Sequence, residues 1–373
     1  MLVEISCRAI LYQSGKPLHT VYGGAQLGLL GIYMGSPFNP LFGAGLNTPF
    51  GSGLGAANTL LGSPSPALSQ LSPTPAPIAN WIYVRGRFRA FMENLKITAA
   101  QLDDGTKKQA GVRACLNRHY YGVSDEVANS FLMGSWGKAT RVRPSRDIDI
   151  LFLLPAHVHA QYQSRSGNRQ SALLQEVKNV LLGTYSQTSM RGDGQVVVIP
   201  FNQTPIEVSP GFRCTDGSII VCDTNNGGRY ITSTAEAEEQ SLSASDSFCI
   251  GNTRALTRMM KQWQREQNLS LKSFMLERLA LEFLQTWANN QRDHFWYDWM
   301  VRDFFAFLVG RANGYILMPG TNELVALGDD WLYQARRAHK HAVTACEHEY
   351  SNYGILAGQE WQAIFGSAIP LST

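Results

Sequence analysis

The segment Phe131–Leu154, FLMGSWGKATRVRPSRDIDILFLL, constrains the fold of this chain more than any other. An apolar run ends at Gly134-Ser135, a basic and turn-prone stretch follows, and Asp147 and Asp149 open the next apolar run. In an extended strand, side chains at i and i+2 share a face. Two neighbouring carboxylates beside Ile148, Ile150, Leu151 and Phe152 repel each other and are costly to desolvate. A pair of divalent cations removes that cost, and hard oxygen ligands suit magnesium. Gly134-Ser135 offers backbone N–H groups and a hydroxyl, the parts that hold phosphate. An isolated D-x-D reads as a solvated strand end. The Gly-Ser step ahead of it, on a strand–turn–strand pattern, turns the reading toward a phosphate and metal site.

The chain has 373 residues, enough for two modest domains with real cores. A net charge of +3 does not indicate a broad nucleic-acid-binding face. The six cysteines show no C-x-x-C and no paired framework, so reduced thiols in a cytoplasmic protein are expected. The segment HKHAVTACEH gathers His339, His341, Cys346 and His348, but its spacing fits no standard zinc finger and its pattern is helical.

Residues 1–84 differ from the rest. Between Lys16 and Arg85 no Asp, Glu, Lys or Arg occurs, and Gly and Pro break every run. Low order is expected there, with no apolar stretch of membrane-spanning length and only a poor version of a secretory signal. It reads as a region upstream of a true start at Met92, or as a flexible tether. From Arg87 onward the spacing is helical, interrupted at Asp103-Asp104-Gly105, and these helices are expected to pack on the back of a sheet. SDEVANSFLMGS reads as a short helix and a first strand. Beyond the Asp-bearing strand comes an amphipathic helix, with Leu173, Leu174, Val177, Val180 and Leu181 on one side. QVVVIPF and PIEVSPGF then read as a hairpin. Glu207 is its only acidic residue; a lone strand Glu usually faces solvent, yet two metals need a third carboxylate. NNGG in the next hairpin is either a simple turn or backbone that approaches a ligand. Everything after about residue 241 reads as a helical bundle, closed by a helix over WLYQARRAHKHAVTACEHEY and a docking tail at Trp361–Pro370.

This ordered set resembles the bacterial CD-NTases, the cyclic GMP-AMP synthase-like nucleotidyltransferases of the polymerase β superfamily. The set is GS…DID, IEVSP, DTNNGGRYITST, R-x4-M-K-x-W, KSFMLE and W-x3-FG-x3-P, and the resemblance runs from about Met92 to the end. It implies an α+β fold: a polymerase β-like mixed sheet with a C-terminal helical bundle, in two lobes around a nucleotide cleft. The expected division is 1–84 extension, 85–240 nucleotidyltransferase core and 241–373 helical lobe. Residue by residue, the resemblance gives Gly134, Ser135, Lys261 and Ser273 to the donor triphosphate. It gives Asp223, Asn225, Gly227 and Gly228 to a loop near the nucleotide pocket. Asp147, Asp149 and Glu207 would hold two Mg2+ ions, for which Mn2+ may substitute; Glu stands where much of the superfamily has Asp.

The implied activity joins nucleoside triphosphates into a cyclic di- or trinucleotide with pyrophosphate release, in antiphage signalling. The implied partners are a separate effector protein that senses the product and regulators encoded nearby. The alternatives are a linear oligonucleotide synthase, against which the weak net charge argues, and an inactive nucleotide-binding protein.

Overall fold

The computed structural model describes residues 80–373, so the expected low-order extension lies outside the described residues as far as residue 79. The described chain opens with two helices, α1 (Val84–Leu95) and α2 (Ala99–Tyr121). α2 begins at a capping box, in which Thr98 Oγ1 accepts from Gln101 N–H and the Gln101 side chain accepts from Thr98 N–H. It ends at Gly122, whose φ of +70° favours glycine. Asp103-Asp104-Gly105 does not interrupt it. Lys107 and Lys108 pair with the two aspartates one turn on, and Gly105 lets the helix lie close to Trp136, whose ring a Cβ would meet at 2.4 Å.

The two helices part company. α2 packs Val112, Cys115 and Leu116 on the sheet, as expected. α1 does not: Phe88, Phe91, Met92 and Leu95 sit in the core of the helical lobe with Leu256, Met259, Trp361 and Phe365. Periodicity fixes which face of a helix is apolar, not which partner covers it.

A seven-stranded mixed sheet follows. Its elements are β1 (Ser130–Leu132), α3 (Gly134–Gly137), β2 (Ile148–Leu153), α4 (Ala156–Gln163), α5 (Arg169–Thr184), β3 (Arg191–Asp193), β4 (Val196–Ile199), β5 (Ile206–Arg213), β6 (Ile219–Asp223) and β7 (Arg229–Thr232). The helix expected before β1 is a turn instead, because Asp125 Oδ1 accepts from the N–H groups of Val127 and Ala128 and closes the chain locally. β2 and β5 run parallel; every other pairing is antiparallel, and β4–β5 is the expected hairpin. Ile148, Ile150 and Phe152 of β2 and Ile206, Val208 and Phe212 of β5 bury against the helical side with α5's Leu173, Leu174, Val177 and Leu181. Alternation turns Asp149 and Glu207 to the opposite face.

The helical lobe comprises α6 (Ala235–Phe248), α7 (Asn252–Glu266), α8 (Ser273–Thr286), α9 (Tyr297–Val309), the hairpin β8 (Tyr315–Leu317) and β9 (Leu324–Ala326), α10 (Leu332–Tyr350) and α11 (Gly354–Phe365). α6 runs across the expected boundary at 240/241, and neither it nor the small hairpin was evident from sequence pattern. Trp361, Ile364, Phe365 and Ile369 dock in the core, as the tail's composition suggests. HKHAVTACEH lies on α10, with Cys346 buried and His341 Nδ1 2.6 Å from Glu360 Oε2. No helix among the described residues is long and apolar enough to cross a membrane.

Arg87 ties the first described helix to the last. Its side chain is fully buried: Nε donates to Glu349 Oε1 at 2.7 Å, and the Nη groups donate to the carbonyls of Gly354, Pro370 and Leu371. A chain begun at Met92 would lack Arg87, Phe88 and Phe91. Removing one partner of a buried pair leaves an uncompensated charge, so Arg87→Ala should cost about 3–5 kcal/mol in chemical denaturation. A loss below about 1 kcal/mol, in the range of exposed pairs, would show that the pair is not sealed from water.

Candidate active site

Each carboxylate of the expected site is placed by its strand. Asp147 precedes β2, Asp149 is its second residue, and Glu207 is the second residue of β5. The parallel register sets Asp149 directly beside Glu207. Ligand oxygens of Asp147, Asp149 and Glu207 all lie within 4.8 Å of one another. Met133 N–H donates to Asp149 O at 2.8 Å, which seats the Gly134 turn on β2. Gly134 has φ +53°, and a Cβ there would lie 1.9 Å from Asp149 Oδ2. The position therefore excludes a side chain twice over, by conformation and by space.

Burial raises the pKa of all three carboxyls, and repulsion from neighbouring carboxylates adds to it at Asp149 and Glu207. Asp149 is pushed up to about 7 by burial, then by Asp147 and Glu207, against the nearby lysines. Glu207 is raised by burial, then by Asp147; Asp147 is raised by burial, against Arg146 and Lys261. Among the described residues no Lys or Arg comes within ion-pair distance of any of the three: Lys138 and Lys261, the cations nearest Asp149, are paired elsewhere. Three convergent, unpaired carboxylates are a donor set that fits a hard divalent cation.

Asp149 stands where two cavities meet, with Asp147 on the wall of the narrower one and Glu207 beside them in the carboxylate cluster. One, of about 260 Å³, runs from the carboxylates between α3, α7 and α8, and is bordered by Ser135, Lys261 and Ser273. The other, of about 550 Å³, extends over β5–β7 to α6, past Gln195, Ser209 and Thr232. Gly134, Lys138, Asp149 and Phe274 border both. Gly134, Ser135, Asp147, Asp149, Lys261 and Ser273 are thus brought together, as the sequence led one to expect, with Glu207 at the same carboxylate cluster.

Two expectations are changed. Lys261 reaches the cavity, but its amino group donates to Glu277 Oε1 at 2.6 Å and Thr140 Oγ1 at 2.7 Å. Lys138, which sequence reasoning passed over, pairs with the other Glu277 oxygen and with Glu238. Burial lowers Lys261 against the pull of Glu277. Lys138 is raised despite its burial, by Glu277 and Glu238. Burial would raise Glu277, but Lys261 and Lys138 bring it below the usual range. Asp223 and Asn225 do not border the cavity with the carboxylates. Asp223 accepts from Asn225 Nδ2 at 2.7 Å and Arg229 Nε at 2.9 Å, bracing the β6–β7 turn. Gly227 and Gly228 have φ near +90°, and a Cβ on Gly228 would lie 2.3 Å from Asn168 Oδ1 at the start of α5. NNGG is a turn packed against a helix.

This fold and site define a nucleotidyltransferase. Residues 83–245 match the family described as the Second Messenger Oligonucleotide or Dinucleotide Synthetase domain, which begins ahead of Met92, where the motif resemblance starts. Comparison with curated proteins gives no match. Solved structures share the fold at low identity. E. coli MS115-1 CdnC with ATP is 16% identical at a TM-score of 0.58, over 78% of this chain and 99% of that one. Escherichia coli DncV in its 3'-deoxy GTP bound form is 12% identical at 0.56, over 74% and 93%. The Bradyrhizobium diazoefficiens CD-NTase CdnG in complex with GTP is 12% identical at 0.54, over 79% and 96%. Residues 83–245 thus carry a second-messenger synthetase domain, and bacterial CD-NTases among the solved structures share the chain's fold.

Gly134→Ala should leave the chain folded but displace Asp149, lowering turnover about 100-fold; single-turnover kinetics with a circular dichroism check of folding measures this. A second expectation concerns pH. A carboxyl whose pKa is higher in the folded protein contributes most below its unfolded value, about pH 4, and loses that contribution as pH rises to about 7. The metal-free protein should lose stability over that window, and Asp149→Asn should remove much of the loss. A bound divalent cation needs ionised carboxylates, so its stabilising effect should grow over the same window. Thermal unfolding at about pH 5 and about pH 8, with and without magnesium, tests both. An undiminished magnesium-induced rise in Asp149→Asn would speak against these ligands.

Proposed function

We propose that the protein is a magnesium-dependent synthase that joins nucleoside triphosphates into a cyclic di- or trinucleotide and releases pyrophosphate. The observation that carries this reading is the convergence of Asp147, Asp149 and Glu207 on one cluster, with Asp149 bordering both cavities. A donor in one cavity and an acceptor in the other would meet at the carboxylates. The match to a second-messenger synthetase domain supports the class of product.

Asp147, Asp149 and Glu207 would hold two magnesium ions, which would supply charge neutralisation and alignment of the attacking and leaving oxygens. The chain's own groups do the rest. Ser135 and the N–H groups of the Gly134 turn face the donor's phosphates across the narrower cavity, with Ser273 on its far wall. An acceptor hydroxyl forms a new bond to the α-phosphorus, and the bond to pyrophosphate breaks. Glu207, whose pKa burial raises, is suited to take the hydroxyl proton. The side chain at 207 is within 4.8 Å of both aspartates even though it is Glu, which weakens the inactive alternative. A second round closes the ring.

In the cell this activity would serve antiphage signalling in the cytoplasm, with the product activating a separate effector protein. A regulator encoded nearby is a further expected partner; E. coli MS115-1 CdnC was solved in a complex with HORMA-deltaN.

Incubation with all four triphosphates and magnesium, followed by phosphatase treatment and mass spectrometry, tests the reading. A phosphatase-resistant cyclic product is expected, and Asp147→Asn with Asp149→Asn should abolish it in a folded protein. Undiminished synthesis by that double variant would overturn the assignment, and a phosphatase-sensitive product would replace it with linear synthesis.

A further inference from the structure

Four half-exposed rings meet outside the cleft, on the helical lobe. Trp81 stands just ahead of α1, Phe295 and Trp296 lie in the turn before α9, and Trp299 is on the first turn of α9. They form a closed circuit of near-perpendicular neighbours. Trp81 and Phe295 are 6.4 Å apart between ring centres at 82°, and Phe295 and Trp296 6.4 Å at 84°. Trp296 and Trp299 are 5.1 Å apart at 86°, and Trp299 and Trp81 6.2 Å at 78°. The four rings border a cavity of about 180 Å³, and Asp298 completes its lining. None of these five residues borders either cavity of the cleft.

Asp298 sets the chemistry of this cavity. It is 1% exposed, and its Oδ2 has no hydrogen-bond partner. Among the described residues no Lys or Arg comes within ion-pair distance of it. Burial, then Glu349, push its pKa up to about 7, against the Trp299 N–H and Arg302. A buried carboxylate without a partner is costly, and a cation brought alongside reduces that cost. The protein's own cations do not fill the role. Arg85 lies over Phe295 at 5.6 Å, Arg292 over Trp296 at 5.3 Å and Arg302 over Trp299 at 5.1 Å, yet none of the three borders the cavity. Arg85 and Arg302 pair instead with Asp293 and Asp303. A neutral apolar occupant would leave Asp298 uncompensated. A primary ammonium would bury three N–H donors among rings that offer little to accept them. A methylated ammonium carries the charge without the donors, and ring faces attract it.

We propose that Trp81, Phe295, Trp296 and Trp299 form an aromatic cage for a quaternary ammonium head group, with Asp298 supplying the opposite charge. The head is held by ring faces and by charge, with no hydrogen bond of its own. The site lies apart from Asp147, Asp149 and Glu207, so it stands or falls independently of the synthase reading.

Choline chloride at about pH 8, where Asp298 is ionised, is the probe, read by ligand-observed NMR against sodium chloride at equal ionic strength. A dissociation constant of about 1 mM or tighter is expected. The uncharged isostere 3,3-dimethyl-1-butanol, and ethanolamine with its unmethylated head, should each bind at least about fivefold more weakly. Trp299→Leu should weaken choline at least about tenfold, and Asp298→Asn about fivefold. Asp298→Asn removes an uncompensated buried charge and should stay folded by circular dichroism, so its loss of binding reads the charge alone. Equal binding of choline and its uncharged isostere would show a merely apolar pocket and overturn the cage. So would choline binding within about twofold of wild type in Asp298→Asn, or none at about 50 mM. Phosphatidylcholine vesicles separate the sources of the head group. Sedimentation of wild type with them, lost in Asp298→Asn, assigns it to a lipid; binding of free choline alone assigns it to a small solute.

Discussion

Parallel pairing of β2 with β5 is the interaction on which the site depends. It holds Asp149 beside Glu207 at a strand spacing of about 4.8 Å, a separation that free carboxylates would not keep. The repulsion is borne by the other face of the same strands, where Ile148, Ile150, Phe152, Ile206, Val208 and Phe212 are buried against α5. One register thus serves both purposes, since a slip of a single residue would turn the aliphatics to the cleft and the carboxylates into the core.

Two buried ion clusters link parts of the chain that are far apart in sequence, and their surroundings set them different roles. Arg87 and Glu349 are sealed from solvent, with every Arg87 nitrogen answered by a carboxylate or a main-chain carbonyl, so the cluster joins α1 to the chain's end. Lys138, Glu277 and Lys261 are nearly as buried but border a cavity. There α3 comes from the sheet side, whereas α7 and α8 come from the helical side, so Glu277 bridges the two walls. With Glu238 included, two lysines and two glutamates balance one another at that wall.

What the sequence made legible was local. The i and i+2 aspartates, the Gly-Ser step and the hairpin that presents Glu207 are short patterns, and the structure gathers these residues around one carboxylate cluster. What stayed hidden was long-range. The apolar face of α1 is plain from its spacing, but its cover comes from α7 and α11. Lys138 gives no signal in GSWGKAT because its partners, Glu238 and Glu277, lie on α6 and α8. Asp223 and Asn225 matched a motif, yet a motif carries no direction; their hydrogen bonds turn inward to the β6–β7 turn. Asp103-Asp104-Gly105 looks like a break because glycine weakens a helix, and only the Trp136 ring lying against Gly105 explains why it is there.

The glutamate at 207 shows how backbone placement and side-chain length trade against each other. Asp147 and Asp149 share one strand edge, and Asp149 is crowded by the Gly134 turn, which leaves its carboxylate little freedom. Glu207 projects from the neighbouring strand with fewer constraints, half exposed, and with one more rotatable bond than Asp would have. That bond lets its oxygen come within 4.8 Å of both aspartates while the β2–β5 register stays fixed. A shorter side chain would have to draw β5 toward β2 or yield the contact. The longer residue is therefore compatible with the cluster because the adjustable carboxylate stands opposite Asp149, which the Gly134 turn crowds.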